Sequence, residues 1–212
     1  MMGFVGTPEA DGAGLRVRKK VATREALSWA ALRLAAERGL DRVRVDEIAA
    51  AAGVSPRTYN NYFSSKEEAI CALVVERAKR VGAALRARPA DEPLGEAIVR
   101  AVVEEYAGGA EPDKDEVVRM RLVISAPALR GEFLKATAAM ERPLAEAIAA
   151  RTGADAERDL FPWVLAAAVS GAARVAAGYW SRPDTTAAYA TVLREAVAQV
   201  VPGPPASHRG GD

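Results

Sequence analysis

The stretch RVRVDEIAAAAGVSPRTYNNYFSSK, residues 42 to 66, leaves this chain few ways to fold. Val45, Ile48, Ala49 and Ala52 recur at spacings that share one face of a short amphipathic helix. Gly53 comes next, the residue type that most readily takes the left-handed conformation ending a helix. Ser55 is placed to cap a second helix and Pro56 to sit in its first turn, where the missing N–H costs nothing. That second helix is short and ends in the aromatic pair Tyr62 and Phe63. Two short helices joined across a glycine turn make a helix-turn-helix, whose second helix fits the DNA major groove. Arg57, Asn60 and Asn61 are expected to face outward on it, able to bond base edges, with Tyr59 and Phe63 turned inward.

The flanking segments continue the helical pattern. A first helix is expected from about Thr23 to Arg38, burying Leu27, Ala31, Leu34 and Ala35 and ending at Gly39. Residues 1 to about 14 lack periodicity, and Arg16, Arg18, Lys19 and Lys20 read as a basic arm ahead of the helix. That arm is either a solvated tail or an additional phosphate or minor-groove contact. A fourth helix is expected from Lys66 to about Arg88, capped by Ser64 or Ser65, before Pro89 and Pro93 break the chain. Cys71 on this helix reads as a small buried hydrophobe. From Leu94 every segment reads as helix, at about 94–107, 114–125, 127–151, 156–180 and 185–200, with kinks or shifted boundaries at Pro143 and Pro162. The small residues from Ala166 onward and the apolar face of Tyr189, Val192, Leu193, Ala196, Val197 and Val200 suggest a helical dimer interface.

Charge divides unevenly along the 212 residues. Residues 1 to 66 hold 11 of the 29 Lys and Arg but 7 of the 28 Asp and Glu, a balance of +4 against −3 for the rest. Only the first segment is therefore suited to approach phosphates. The single cysteine permits no internal disulfide and fits a reducing compartment. The N-terminus lacks the charged and apolar regions of a signal peptide, and no apolar run approaches the roughly 20 residues of a membrane span. Cytoplasmic residence without a membrane is the expectation. Enzyme chemistry finds little footing. The only histidine, His208, lies in a Pro- and Gly-rich tail, and there is no Gly-x-Ser-x-Gly elbow, phosphate-cradling glycine loop, dinucleotide fingerprint or Cys-x-x-Cys pair. No catalytic residue, metal or cofactor is expected.

The motif resembles the N-terminal domain of TetR-type transcriptional regulators, with a leading helix ending LRLAAERGL, then the helix-turn-helix, then YFSSKEEAI opening the fourth helix. The likeness is specific over roughly residues 20 to 75. It implies DNA-binding roles for Arg44, Ser55, Arg57, Thr58, Asn60, Asn61, Tyr62 and Lys66, with Tyr62 and Lys66 gripping the backbone and Arg44 facing a phosphate. Arg44 stands where such proteins more often carry Thr, and Asn60 where they commonly carry an aromatic, which alters the operator read rather than the motif. The segments RTYNNYFSSKEEAI and RLVISAPALRGEFLKATAAMERPLAEAIAAR are similar to a subgroup with acyl-CoA-like ligands.

The expected molecule is all-α, with a three-helix DNA-binding domain and a C-terminal helical domain for ligand binding and dimerisation. Its boundaries fall at 1–19 for a disordered basic arm, 20–66 for the helix-turn-helix domain, 67–201 for the second domain and 202–212 for a disordered tail. Candidate effector residues are Arg119, Arg121, Leu122, Phe133, Met140 and Trp163, joined by Leu134 and Arg130, a set suited to an acyl chain with a phosphate-bearing head. The expected partners are double-stranded operator DNA, a small-molecule effector and a second copy of the chain. The function expected is that of a repressor released from a palindromic operator by a small-molecule effector such as an acyl-CoA. The alternatives are a drug- or antibiotic-sensing efflux repressor and, from another class, a helical lipid-binding protein.

Overall fold

The computed structural model describes residues 9–109, 112–115, 117, 118, 121 and 126–201. Arg119, Leu122, His208 and most of the expected 114–125 helix lie outside the described residues. The labelled helices are α1 (Glu9–Arg38), α2 (Val45–Ala51), α3 (Pro56–Asn60), α4 (Lys66–Ala87), α5 (Leu94–Ala107), α6 (Arg130–Thr152), α7 (Leu160–Trp180) and α8 (Tyr189–Ala198), and no strand occurs among the described residues. The described residues form two compact units, one within 9–73 with 126–129 and one within 74–121 with 130–201.

In the first unit, α1 buries Leu27, Ala31, Leu34 and Ala35 as the spacing requires, and Ile48 and Ala49 of α2 are fully buried. Gly39 closes α1 with φ 84°. Gly53, at φ 69°, ends α2 with two crossed bonds, Val54 N–H to the Ala49 carbonyl at 2.9 Å and Gly53 N–H to Ala50 at 3.1 Å. A residue with a Cβ is strained in that conformation, so glycine fixes the angle between α2 and α3. The start of α1 corrects the expected disordered arm. The helix begins at Glu9 and runs without a break through Arg16, Arg18, Lys19 and Lys20.

Ser65 rather than Ser64 caps α4, accepting from the Glu68 N–H at 3.0 Å, and the Glu68 carboxylate accepts in return from Ser64 N–H at 2.8 Å. This reciprocal arrangement satisfies donors that the first turn leaves unpaired. Cys71 is buried.

The second unit is built on the inner faces of α4, α5, α6, α7 and α8, where Val81, Leu85, Ile98, Val102, Leu144, Ile148, Leu165, Val169, Leu193 and Val197 form one core. Helix α6 continues through Pro143, and a Cβ on Gly82 of α4 would meet the Pro143 carbonyl oxygen at 2.6 Å. Only glycine lets these two helices cross so closely. Pro162 lies in the first turn of α7, where no intrahelical bond is lost, and this moves the start of that helix to Leu160. Arg151 fastens the connection after α4 by donating to the carbonyls of Arg88, Pro89 and Glu92 at 3.1, 2.8 and 2.8 Å.

Two expectations change here. Val192 and Val197 of α8 are 7% and 0% exposed within their own unit, so they are core and not a free apolar face. Helix α7 is long and apolar enough, by length and composition alone, to span a membrane. One side carries Leu165, Val169, Ala173 and Ala176 into the core, while Leu160, Val164, Val175 and Tyr179 on another side are exposed.

Candidate nucleic-acid interface

Helix α3 has five residues, far too few to be stable in isolation, so its geometry comes from its surroundings. Ser55 Oγ accepts from Thr58 N–H at 3.1 Å and lies 2.9 Å from the Thr58 hydroxyl. Tyr59 is fully buried behind the helix and its hydroxyl donates to the Ser65 carbonyl at 2.8 Å. Burial, with Glu67 and Glu68 nearby, pushes that phenol well above its ordinary range, so it remains a donor. The Tyr59 and Phe63 rings meet at 5.8 Å, tilted by 51°. With the back of the helix fixed in this way, Arg57, Asn60 and Asn61 are exposed as the periodicity requires. Those are residue types suited to guanine (Arg) and adenine (Asn) edges in the major groove.

The residues expected on phosphates divide into two groups. Arg44 is exposed at the start of α2, with its Nε 3.2 Å from Asp46 Oδ1, and its backbone N–H donates to Glu47 at 3.0 Å. Tyr62 is half-buried. Lys66 is committed inward: its Nζ donates to the Leu40 and Val43 carbonyls at 2.7 and 3.0 Å. Two of its three donors thus hold the turn before α2. Arg24, absent from the residues singled out by sequence, donates to the Tyr62 carbonyl at 3.2 Å and lies 4.4 Å over the Phe63 ring. Its signal was a cation in register with Leu27 and Ala31, on the buried face of α1.

In the second unit a cavity of about 20 Å³ lies between four helices, lined by Val81 of α4, Val102 and Tyr106 of α5, Met140 and Leu144 of α6 and Val169 of α7 among others. Arg77 of α4 stacks 4.8 Å from the Tyr106 ring centroid. Burial raises the Tyr106 phenol, opposed by Arg77 and Arg80, and raises Tyr189 to about 12. Of the expected effector residues only Met140 lines this cavity. Arg121 is exposed and donates to Ser181 Oγ at 2.6 Å. Trp163 donates through Nε1 to the Ala156 carbonyl at 2.6 Å, with Arg142 over its ring. Phe133 is half-buried, Arg130 is exposed, and Leu134 is 74% exposed. One stretch of sequence cannot wall a cavity that four helices enclose, and apart from Met140 the lining residues, Tyr106 among them, were missed. Among the described residues no cluster of His, Cys, Asp and Glu is arranged to hold a metal.

Comparison with known proteins matches residues 29–71 to the profile described as bacterial regulatory proteins, tetR family, and residues 92–205 to the MftR C-terminal domain. The chain is 36% identical over 182 residues to the HTH-type transcriptional regulator TcmR of Streptomyces glaucescens, covering 82% of this chain and 80% of that one. The fold is shared with the transcriptional regulator FadR from Bacillus subtilis in complex with stearoyl-CoA, at TM-score 0.54 and 19% identity, over 83% of this chain and 96% of that one. It is shared also with the multidrug binding protein EbrR complexed with ethidium, at TM-score 0.53 and 19% identity, over 85% and 99%.

Proposed function

The chain belongs to the TetR family of bacterial regulatory proteins, and from that premise we propose that it is a homodimeric repressor which a small apolar effector releases from a palindromic operator. The observation that carries this reading is the exposure of Arg57, Asn60 and Asn61 on a helix pinned from behind by Tyr59. Arg57 and the two asparagines read base edges; Arg44, Thr58 and Tyr62 set the register on the backbone. Two such helices engage half-sites about 34–36 Å apart only when a second copy is present. The exposed side of α7, with Leu160, Val164, Val175 and Tyr179 at helical spacing, supplies an apolar surface for that second copy. A DNA-binding role places the protein in the cytoplasm.

The effector acts through the cavity of the second unit. At about 20 Å³ it holds no more than about one water, so any effector must part the helices that wall it. That requirement gives the ligand its leverage: it shifts the equilibrium only by binding the parted state more tightly than the closed one. Helix α4 contributes Ala78 and Val81 to the wall and starts at the cap behind α3, so it is the element such a ligand displaces. The lining favours an acyl chain, and the Arg77 guanidinium on Tyr106 disfavours a cation. In a series of acyl-CoAs of increasing length, affinity is expected to rise by about 0.8 kcal/mol per buried methylene until the space is full. Release of DNA by ethidium, with no response to any acyl-CoA, would replace this reading with the drug-sensing one.

A further inference from the structure

Helix α1 extends well beyond the part that packs in the first unit, and the face it uses changes character where it does so. Leu27, Ala31 and Leu34 mark its buried face. Toward the N-terminus, at helical spacing, the same face carries Arg24, then Lys20, then Arg16. Arg24 is half-buried and fixes the direction of this face, because it bonds the Tyr62 carbonyl and stacks on Phe63, immediately after the recognition helix. Lys20 and Arg16 are exposed at successive steps of about 6 Å along the axis, and Arg18 and Lys19 flank them. None of these four is held by a carboxylate among the described residues, in a segment that already carries an excess of positive charge.

We infer that residues 16 to 20 of α1 form a helical phosphate-binding rail, with Arg16 and Lys20 as its contacts, which extends the protein's grip on DNA beyond the half-site read by α3. The inference rests on the DNA-binding reading above and deepens it. The occupant is the DNA backbone. Residues 16 to 20 contain no carboxylate, Arg16, Arg18, Lys19 and Lys20 are all exposed, and through Arg24 the face they extend is continuous with the end of the recognition helix. Contacts of this kind add affinity and salt dependence without reading sequence. A helix rather than a flexible tail means that the cations are already positioned, so little ordering entropy opposes their binding.

The test uses the full chain, a duplex enriched by the protein from a random library, and an unrelated duplex of equal length. The variant Arg16→Ala with Lys20→Ala keeps the helix, since alanine is the best helix former. The slope of log affinity against log salt is expected to fall by about 1.8 per subunit on both duplexes, with the preference between them unchanged. A second variant adds Ala22→Lys and Ala26→Lys, exposed positions on another face, and so restores the net charge. The slope is expected to stay low there, because the contact depends on register. An unchanged slope in the first variant, or its full recovery in the second, overturns the rail. If no duplex is enriched by wild-type protein, the DNA-binding reading itself fails, which is a different result from an unchanged slope on an enriched one.

Discussion

The two units of this chain solve different problems, and their interiors show it. The first holds three exposed side chains in one fixed arrangement, and its fully buried members, Tyr59 and Phe63, serve that end as a rigid backing. The second keeps a small void between Val81, Val102, Met140 and Val169, the place where the function proposed above has a ligand part the helices. A reading head gains from rigidity, whereas a sensor needs two arrangements close in energy. Substitutions in the first unit should therefore act on DNA affinity, and substitutions around the second unit's void on response.

The largest expected effects separate core from interface. Val197→Glu buries an unpaired charge and is expected to unfold the second unit, whereas Val175→Glu, on the exposed side of α7, is expected to leave subunit stability nearly unchanged and abolish the dimer. Sedimentation and thermal unfolding, run together, decide this. Dimers in Val175→Glu would remove α7 from the interface.

Next in size is Tyr59→Ala. It deletes a fully buried ring together with its hydrogen bond to Ser65, and should destabilise the first unit by about 3–5 kcal/mol and abolish operator binding. Tyr59→Phe keeps the ring and should lose only about 1 kcal/mol. Denaturant unfolding of the pair measures how rigid the backing is. Equal losses would mean that the hydroxyl and not the ring positions α3.

How much of this was legible in the sequence depends on how far apart the interacting residues lie. Gly39, Gly53 and Ser55 work on neighbours within a few positions, and their roles could be read directly from spacing, while the cap of α4 was narrowed to Ser64 or Ser65. Lys66 reaches back to Leu40 and Val43, and Arg24 reaches forward to Tyr62, pairings that no local pattern encodes. The cavity draws on four helices, so a reading centred on residues 119 to 140 with Trp163 found Met140 and missed Tyr106. Helix α8 shows why an apolar face is ambiguous. Its stripe of Val192, Leu193 and Val197 has the width of a core-facing helix, and that is what it is. Helix α7, whose exposed Leu160, Val164, Val175 and Tyr179 lie apart from its buried side, has more apolar surface than its own unit covers.

A smaller effect probes the sensor. Gly82→Ala places a Cβ against the Pro143 backbone, costing about 1–3 kcal/mol of overpacking against about 1 kcal/mol of helix propensity gained. A modest fall in the unfolding midpoint is expected, with ligand-free operator affinity altered because α4 is displaced from α6. An unchanged midpoint would show that the crossing yields easily.

The smallest is a pH effect. The bond from Arg88, at 2.6 Å, holds the Glu92 carboxyl below the usual carboxylate range. A depressed carboxylate contributes stability above its unfolded value of about 4.3, and loses it as pH falls through the folded value. Wild type should therefore exceed Glu92→Gln in stability at neutral pH, with the gap closing in acid. A gap that widens in acid would reverse the sign.

The central claim is that α3 reads DNA through Arg57 and Asn61. Its most direct test is titration of Arg57→Ala and Asn61→Ala against the enriched duplex at fixed salt, beside the unrelated duplex. Each variant should lose about 1–3 kcal/mol on the enriched duplex and relax its preference at one base position, while binding the unrelated duplex nearly as wild type does. Wild-type affinity for the enriched duplex in both variants would contradict the account.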